Sequence, residues 1–474
     1  MIQELLAHLG FSAVVATAAH LVIALAVTVH VLLNKRDVGS SMAWMGLAWL
    51  SPFIGSALYF IMGINRVNRR ARRMRRPRPR TKPKPPRPSD LPDDPLAPLE
   101  YAGWQLTQRP AEDGNTVQLI QNGDNAYPQM VAAIDAARVS VGLSSYIFRA
   151  DETGSVFIDA LIRAQQRGVE VRVLIDGVGG GYLFSPTYRR LRHAGVPVAR
   201  FLHSIQPWRM PFLNLRLHKK FLGIDGRFAF TGGLNIGAEN VLKINPPHPV
   251  RDTHFRVEGP VVGQLFDAFA EDWLFTTSEQ LGGEAWFPAL KAVGDVVARV
   301  VTSGPDQDMG KIEFMILHAV ACARQSIRIL TPYFLPNDVL ISALAVAAMR
   351  GIQVDVIVPE NSNHPPVDWG RNAQVRPMLV AGCRIHLAPP PFDHSKLMVI
   401  DGNWCLIGSA NWDVRSFRLN FELDVEMRDG DLARQIDALM AAKQGRLLLI
   451  DEIDHAPLAA KLRNNAARLA LPYL

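Results

Sequence analysis

The chain has 474 residues, enough for more than one core, with 48% hydrophobic and 20% charged residues and a formal net charge of +7. Its three cysteines, Cys322, Cys383 and Cys405, are far apart and form no C-x-x-C pair. That excludes a disulfide framework and a cysteine metal site, and fits a reducing compartment. Twelve Lys and Arg and no acid fall within residues 66–87, so the rest of the chain is net acidic by about five charges. A duplex-binding enzyme spreads basic charge over its working face, so no nucleic-acid partner is expected.

In chain order, residues 12–33 form an apolar run long enough to cross a bilayer, with His20 and His30 as its only ionisable groups. A secretory leader would need a positive start, but the preceding residues carry Glu4 and no Lys or Arg. Residues 42–64 form a second such run, interrupted by Pro52 and Gly55, with Trp44, Trp49 and Tyr59 as candidate interface anchors. The segment after Ile64 is far more basic than the loop holding Lys35 and Arg36. The positive-inside rule then predicts a two-span anchor at residues 1–65 in the cell (inner) membrane, with both termini of the hairpin and the catalytic part in the cytoplasm. Residues 66–109 read as a basic, Pro-rich linker: a topology signal and stiff spacer, an attractor for anionic lipid headgroups or, as a weaker third reading, a nucleic-acid-binding segment.

The remainder repeats itself. Ala137-Arg-Val-Ser-Val-Gly-Leu-Ser-Ser-Tyr146 matches Ala323-Arg-Gln-Ser-Ile-Arg-Ile-Leu-Thr-Pro-Tyr333, each a β-branched-rich strand after an alanine-rich helix. Helices over 157–166 and 340–349 then lead through Arg-Gly into apolar strands ending at Asp176 and Pro359. Further strands follow at 197–201 and 384–387. These near-constant offsets predict an α/β fold of two similar lobes, 110–290 and 291–474, each a sheet flanked by helices and related by pseudo-two-fold symmetry.

Each copy carries the same chemistry-bearing pattern. The first is His218, Lys220, Asp225, then Gly232-Gly233-Leu-Asn235; the second is His394, Lys396, Asp401, then Gly408-Ser409-Ala-Asn411. His and Asn are 17 positions apart in both. On a strand, His and Lys at i and i+2 share a face, and Asp-Gly is a turn signal. Two imidazoles, two ammonium groups and two amides at one spot suit a phosphodiester. A zinc site would want further ligands and would be repelled by the lysines, so no metal and no cofactor are expected.

These motifs resemble the phospholipase D superfamily, whose signature is HxKxxxxD followed by a glycine-rich turn. The double span with Trp49-Leu-Ser-Pro52-Phe-Ile-Gly55, the stretch Asn411-Trp-Asp-Val-Arg415-Ser416-Phe-Arg-Leu-Asn420-Phe421-Glu422 and the ending Arg468-Leu-Ala-Leu-Pro-Tyr-Leu474 are similar to the bacterial cardiolipin synthases of that superfamily. The resemblance implies His218 as nucleophile and His394 as general acid and then base. It implies Lys220, Lys396, Asn235, Asn411 and Ser409 as phosphate-binding, and Asp252 and Glu422 as carboxylates that orient the histidines. Asp225 and Asp401 complete the catalytic motifs in a structural part. Gly233 departs from the usual Ser and leaves the half-sites unequal. The implied reaction transfers a phosphatidyl group from one phospholipid to phosphatidylglycerol in the bilayer, releasing glycerol. A phospholipase D-type hydrolase, another phosphatidyltransferase, a membrane-bound nuclease and a scaffold with a decayed site are the alternatives.

Overall fold

The computed structural model describes residues 2–34, 38–51, 53–63, 96–204, 215–306 and 308–469. They fall into two compact units, the N-terminal helices and an αβ body.

In the N-terminal unit, helix Ile2–Asn34 contains the apolar stretch Ser12–Asn34, whose side chains are almost all exposed, as a lipid-facing surface requires. The second apolar run is not one helix. Val38–Leu50 is helical and stops short of Pro52; Ile54–Leu58 and a single π turn, Tyr59–Gly63, follow. Proline has no amide to donate and crowds the carbonyl four residues back; Phe53 beside it adopts a φ of 62°. Among the described residues, one helix is long and apolar enough to cross a membrane. Two of the aromatics expected as interface anchors bond to the first helix: Trp49 Nε1 donates to Thr28 Oγ1 at 2.9 Å, and Tyr59 OH lies 2.6 Å from His30 Nδ1.

Residues 64–95, the bulk of the expected basic linker, lie outside the described residues. Ala97–Thr107, read from the sequence as its end, is a helix whose Leu99 is buried with Val301, Ile312 and Met315.

The αβ body is built on one 16-stranded sheet. From its middle outward the first half runs Glu112–Gln121, Thr253–Glu258, Phe228–Gly232, Phe221–Ile224, Ser140–Ser145, Glu170–Asp176 and Val198–Phe201. The second half repeats that order with Val296–Ser303, Asn420–Arg428, Trp404–Gly408, Leu397–Ile400, Ser326–Leu330, Gln353–Pro359 and Arg384–Ala388. The two innermost strands pair antiparallel, with Glu112 opposite Ala298. The expected duplication therefore closes into a single continuous sheet with a seam at its centre. Each half has its own core: Phe157, Leu161, Val173 and Ile175 in the first, Leu344, Val356, Ile385 and Met398 in the second. The outer strands are parallel and reached through helices such as Glu152–Gln166 and Asp338–Met349, whose N-caps Asp151 and Asn337 each accept an amide of the first turn. The innermost strands bring the return segments of both halves, and with them the site, to the seam.

Candidate active site

The aspartate of each motif closes a hairpin. Asp225-Gly226 and Asp401-Gly402 take φ values of 52° and 67°, and 50° and 61°, the double left-handed turn for which Asp-Gly is suited. The Asp225 carboxylate accepts the backbone amides of Arg138, Val139 and Ser140, at 2.8 Å for Val139. Asp401 does the same for Arg324, Gln325 and Ser326, at 2.8–2.9 Å. Both acids pin the hairpin to the neighbouring strand, and their carboxylates are occupied by backbone amides.

His-x-Lys does not lie within a regular strand, as its spacing suggested. His218 and Lys220 occupy the join between Arg216–Leu217 and Phe221–Ile224, and His394 and Lys396 the join between Phe392–Asp393 and Leu397–Ile400. The short strand before each histidine pairs with a strand of the opposite half, one on the large sheet and one in a separate two-stranded ribbon. Arg216–Leu217 runs parallel to Asn420–Phe421, and His218 N–H donates to Phe421 O at 2.9 Å. Phe392–Asp393 runs parallel to Val250–Arg251, and His394 N–H donates to Arg251 O at 2.8 Å.

The stitching sets the side-chain pairing. His218 Nδ1 lies 2.9 Å from Glu422 Oε2, and His394 Nδ1 lies 2.8 Å from Asp252 Oδ2. Each histidine is oriented by the acid of the other copy, not by the one that follows its own motif. A Nδ1–H held by a carboxylate leaves Nε2 of each ring free to react. The two rings stand 6.5 Å apart, centre to centre, at 81°. Lys220 Nζ donates to His218 O at 2.7 Å, and Lys396 Nζ donates to His394 O, so both ammonium groups are drawn in beside the imidazoles.

The glycine-rich turns differ for a steric reason. Ser409 Oγ donates to Glu422 Oε2 at 2.5 Å and accepts the Leu423 amide at 2.9 Å. At Gly233 a Cβ would lie 2.1 Å from Asp252 Oδ1, so the first copy has no room for the serine. Asn235 Oδ1 accepts the Ile147 amide at 3.2 Å, and Asn411 is buried with Oδ1 unpartnered among the described residues. Two tyrosines that sequence reasoning gave no role complete the walls: the Tyr146 ring is 5.1 Å from that of His218, and the Tyr333 ring 6.3 Å from that of His394. Their matching positions at the ends of the repeated strands were the available signal.

Burial dominates the electrostatics. Burial, then the charges of Lys220 and Lys396, holds His218 well below the usual imidazole range. Burial and Lys396 push His394 down to about 4. Lys220 falls to about 7 through burial and the charge of Lys396, and Lys396 falls to about 8 through burial. Without an anion in the site both imidazoles favour the neutral form near neutral pH and the lysines sit close to losing their protons; the negative charge of a bound phosphodiester favours the protonated form of each. The two orienting acids diverge. Burial raises Glu422. Burial works to raise Asp252 as well, but the hydrogen bond and charge of His394, with Lys396, outweigh it and leave Asp252 below its ordinary value.

The sequence model of the family described as cardiolipin synthase, PLD-like domain matches residues 130–273 and 316–443, more than half of the chain and both copies of the site. A second, described as phospholipase D-nuclease N-terminal, matches residues 22–63. Cardiolipin synthase 1 of Bacillus cereus is 32% identical over 410 residues, covering 83% of this chain and 80% of that one. The major cardiolipin synthase of Bacillus subtilis is 30% identical over 469 residues, covering 93% and 95%. The crystal structure of phosphatidylserine synthase from Haemophilus influenzae shares the fold, with a TM-score of 0.62 at 14% identity over 80% of this chain and 100% of that one. Two matched copies of the domain and relatives aligned over most of their length place the chain in the cardiolipin synthase family, phosphatidyltransferases of the phospholipase D superfamily.

Proposed function

We propose that the chain joins two phosphatidylglycerol molecules into cardiolipin and releases glycerol. The observation that carries this reading is the pair of buried histidines 6.5 Å apart, each backed by a carboxylate across the seam, with a lysine beside each. His218 Nε2 attacks the phosphorus of the donor as the bond to the leaving glycerol oxygen breaks, and His394 gives that oxygen its proton. His394, now neutral, takes the proton of the incoming glycerol hydroxyl as its oxygen displaces His218. Lys220, Lys396, Asn235 and Asn411 hold the non-bridging oxygens, and Ser409 acts on the phosphate side only through Glu422.

The acids support this division of labour. Asp252, held low, remains anionic beside His394 and stabilises the imidazolium from which a general acid gives its proton. Glu422, held high, stabilises charge on His218 less and suits a histidine that attacks as the neutral base.

Incubating the detergent-solubilised protein with labelled phosphatidylglycerol tests the reading: cardiolipin and free glycerol are expected in equal amounts. Phosphatidic acid without cardiolipin would place the chain among the hydrolases. The anchor reading extends to topology: the apolar helix Ser12–Asn34, with the basic run after residue 64, supports two crossings and a cytoplasmic αβ body. Protease added outside intact spheroplasts should leave the αβ body uncut; cleavage there would reverse the orientation.

A further inference from the structure

The strand Glu170–Asp176 ends at the active site and gives way to a glycine-rich loop. Asp176 is buried and joins the two: its Oδ2 accepts the amide of Leu217, the residue before His218, at 2.8 Å, and its Oδ1 accepts the amides of Val178 and Gly179 at 2.9 and 2.8 Å. Gly179 passes so close to Tyr146 that a Cβ would lie 2.4 Å from the Tyr146 carbonyl oxygen, and Tyr146 in turn packs on His218. The loop is therefore part of the wall around the reacting histidine.

Its shape is fixed from below. The Arg200 guanidinium donates to the carbonyls of Gly177, Gly181 and Tyr182 at 3.0, 2.5 and 2.8 Å. Tyr182 OH donates to Ser204 O at 3.0 Å. With Tyr182 held, the next two residues, Leu183 and Phe184, stand out into solvent, each 75% exposed. Ser185 then caps the helix Pro186–His193, which contains no acid and exposes Arg189 and Arg192, while Arg190 is held by Asp159 at 2.9 Å and Ser155 at 2.7 Å. Single exposed apolar side chains are ordinary, but two large ones side by side on a braced tip at the rim of a site mark a surface that meets something apolar. The arginines that follow match negative charge.

We propose that Leu183 and Phe184 form a prong that inserts into an anionic phospholipid bilayer at the mouth of the active site, with the arginines of the following helix on the headgroup phosphates. This rests on the reading that the substrate is a bilayer phospholipid. A prong rooted through Asp176 in the His218 segment brings the headgroup layer to the nucleophile, so the lipid need not leave the membrane entirely to react.

The test uses the full chain, with Cys322 replaced by Ser, Leu183 replaced by Cys and labelled with an environment-sensitive fluorophore, reconstituted in phosphatidylglycerol/phosphatidylcholine vesicles. We expect quenching by nitroxide-bearing acyl chains, growing with the phosphatidylglycerol fraction, and protection from aqueous iodide. Free access to iodide with no nitroxide quenching overturns the proposal. Protection from iodide that follows the protein-to-lipid ratio, without nitroxide quenching, also overturns it and assigns the tip to a second copy of the chain. Neither readout depends on turnover, so cardiolipin formation in the same sample judges the proposed reaction separately. In a double variant, L183S/F184S, the ratio of turnover on vesicle lipid to turnover on dispersed short-chain lipid should fall by roughly tenfold; equal loss on both substrates would assign the loop to site geometry instead.

Discussion

Nδ1 of His218 lies 2.9 Å from Oε2 of Glu422, a residue 204 positions further along the chain and in the other half of the sheet. His394 and Asp252 make the reciprocal pair at 2.8 Å. The exchange ties each chemical role to an acid that a linear reading assigns to the other one, and it fixes what single substitutions do.

Replacing Glu422 by Gln should act on the His218 step, and replacing Asp252 by Asn on the His394 step. Each should slow overall transfer about 10²–10⁴-fold, the range for a disabled acid–base partner. A donor with a p-nitrophenolate leaving group needs no general acid. With it, single-turnover measurements should show phosphoenzyme forming near the parent rate in D252N and slowly in E422Q. The opposite order would mean that the acids serve the histidines of their own halves.

The same activated donor separates the histidines. H394A should form the phosphohistidine and accumulate it, because nothing takes the proton of the acceptor hydroxyl. H218A should form none. Acid-labile, base-stable label on denatured protein reports both, and label retained in H218A would exchange the two roles.

Gly233→Ser restores the residue usual at that place in the superfamily, yet it should lower activity. The new Cβ would sit 2.1 Å from Asp252 Oδ1 and must push that carboxylate away from His394. Ser409→Ala should lower activity by another route: it removes a donor from Glu422 and strands the Leu423 amide, at a cost to stability of roughly 1–3 kcal/mol. Steady-state kcat/KM and thermal melts check both. A G233S protein as active as the parent would show that the turn can shift without cost.

The lysines give a sign to the pH dependence. They fold with values of about 7 and about 8 against an ordinary 10.5. Between those folded values and 10.5 the unfolded chain holds protons that the folded chain has shed, so the unliganded protein gains stability as pH rises through that window. A bound dianion works the other way, because it needs both ammonium groups charged. The melting-temperature gain from tungstate, a dianion throughout, should therefore be larger near pH ~6.5 than near pH ~9.5. An equal gain at both would remove the lysines from the phosphate site.

Asp401→Ala should cost stability rather than chemistry. Three backbone amides lose their acceptor at a half-exposed hairpin, for about 1 kcal/mol or somewhat more. The melting point should fall while turnover per folded molecule holds. A collapse of turnover in fully folded D401A would return the aspartate to the reaction.

Much of this was legible because duplication writes the same local signals twice. Helix, Arg-Gly, strand and the His–Asn spacing recur, so an H-x-K that would mean little once becomes specific, and both copies converge at the seam. The exchange of acids was not legible, since it depends on which half the strands Arg216–Leu217 and Phe392–Asp393 join, a tertiary choice that spacing does not encode. Pro52 was visible as an interruption of the second apolar run, but the division of that run into the helices Val38–Leu50 and Ile54–Leu58 was not legible, because hydropathy measures composition and not hydrogen-bond continuity. Gly233 looked like a missing hydroxyl; only the position of Asp252 shows that it makes space. The innermost strands Glu112–Gln121 and Val296–Ser303 drew no attention from the sequence, although the whole sheet pivots on their pairing.

The stitched strands also bear on ancestry. A half-length protein built this way would hold a histidine facing nothing and an acid facing nothing, and it would become competent only by pairing with a copy of itself about a two-fold axis. Joining two such copies in one chain would make the pairing permanent and release them from identity. One copy could then dispense with the serine, hold an aspartate and carry the histidine proposed to take up phosphorus, while the other held a glutamate and carried the histidine proposed to move protons.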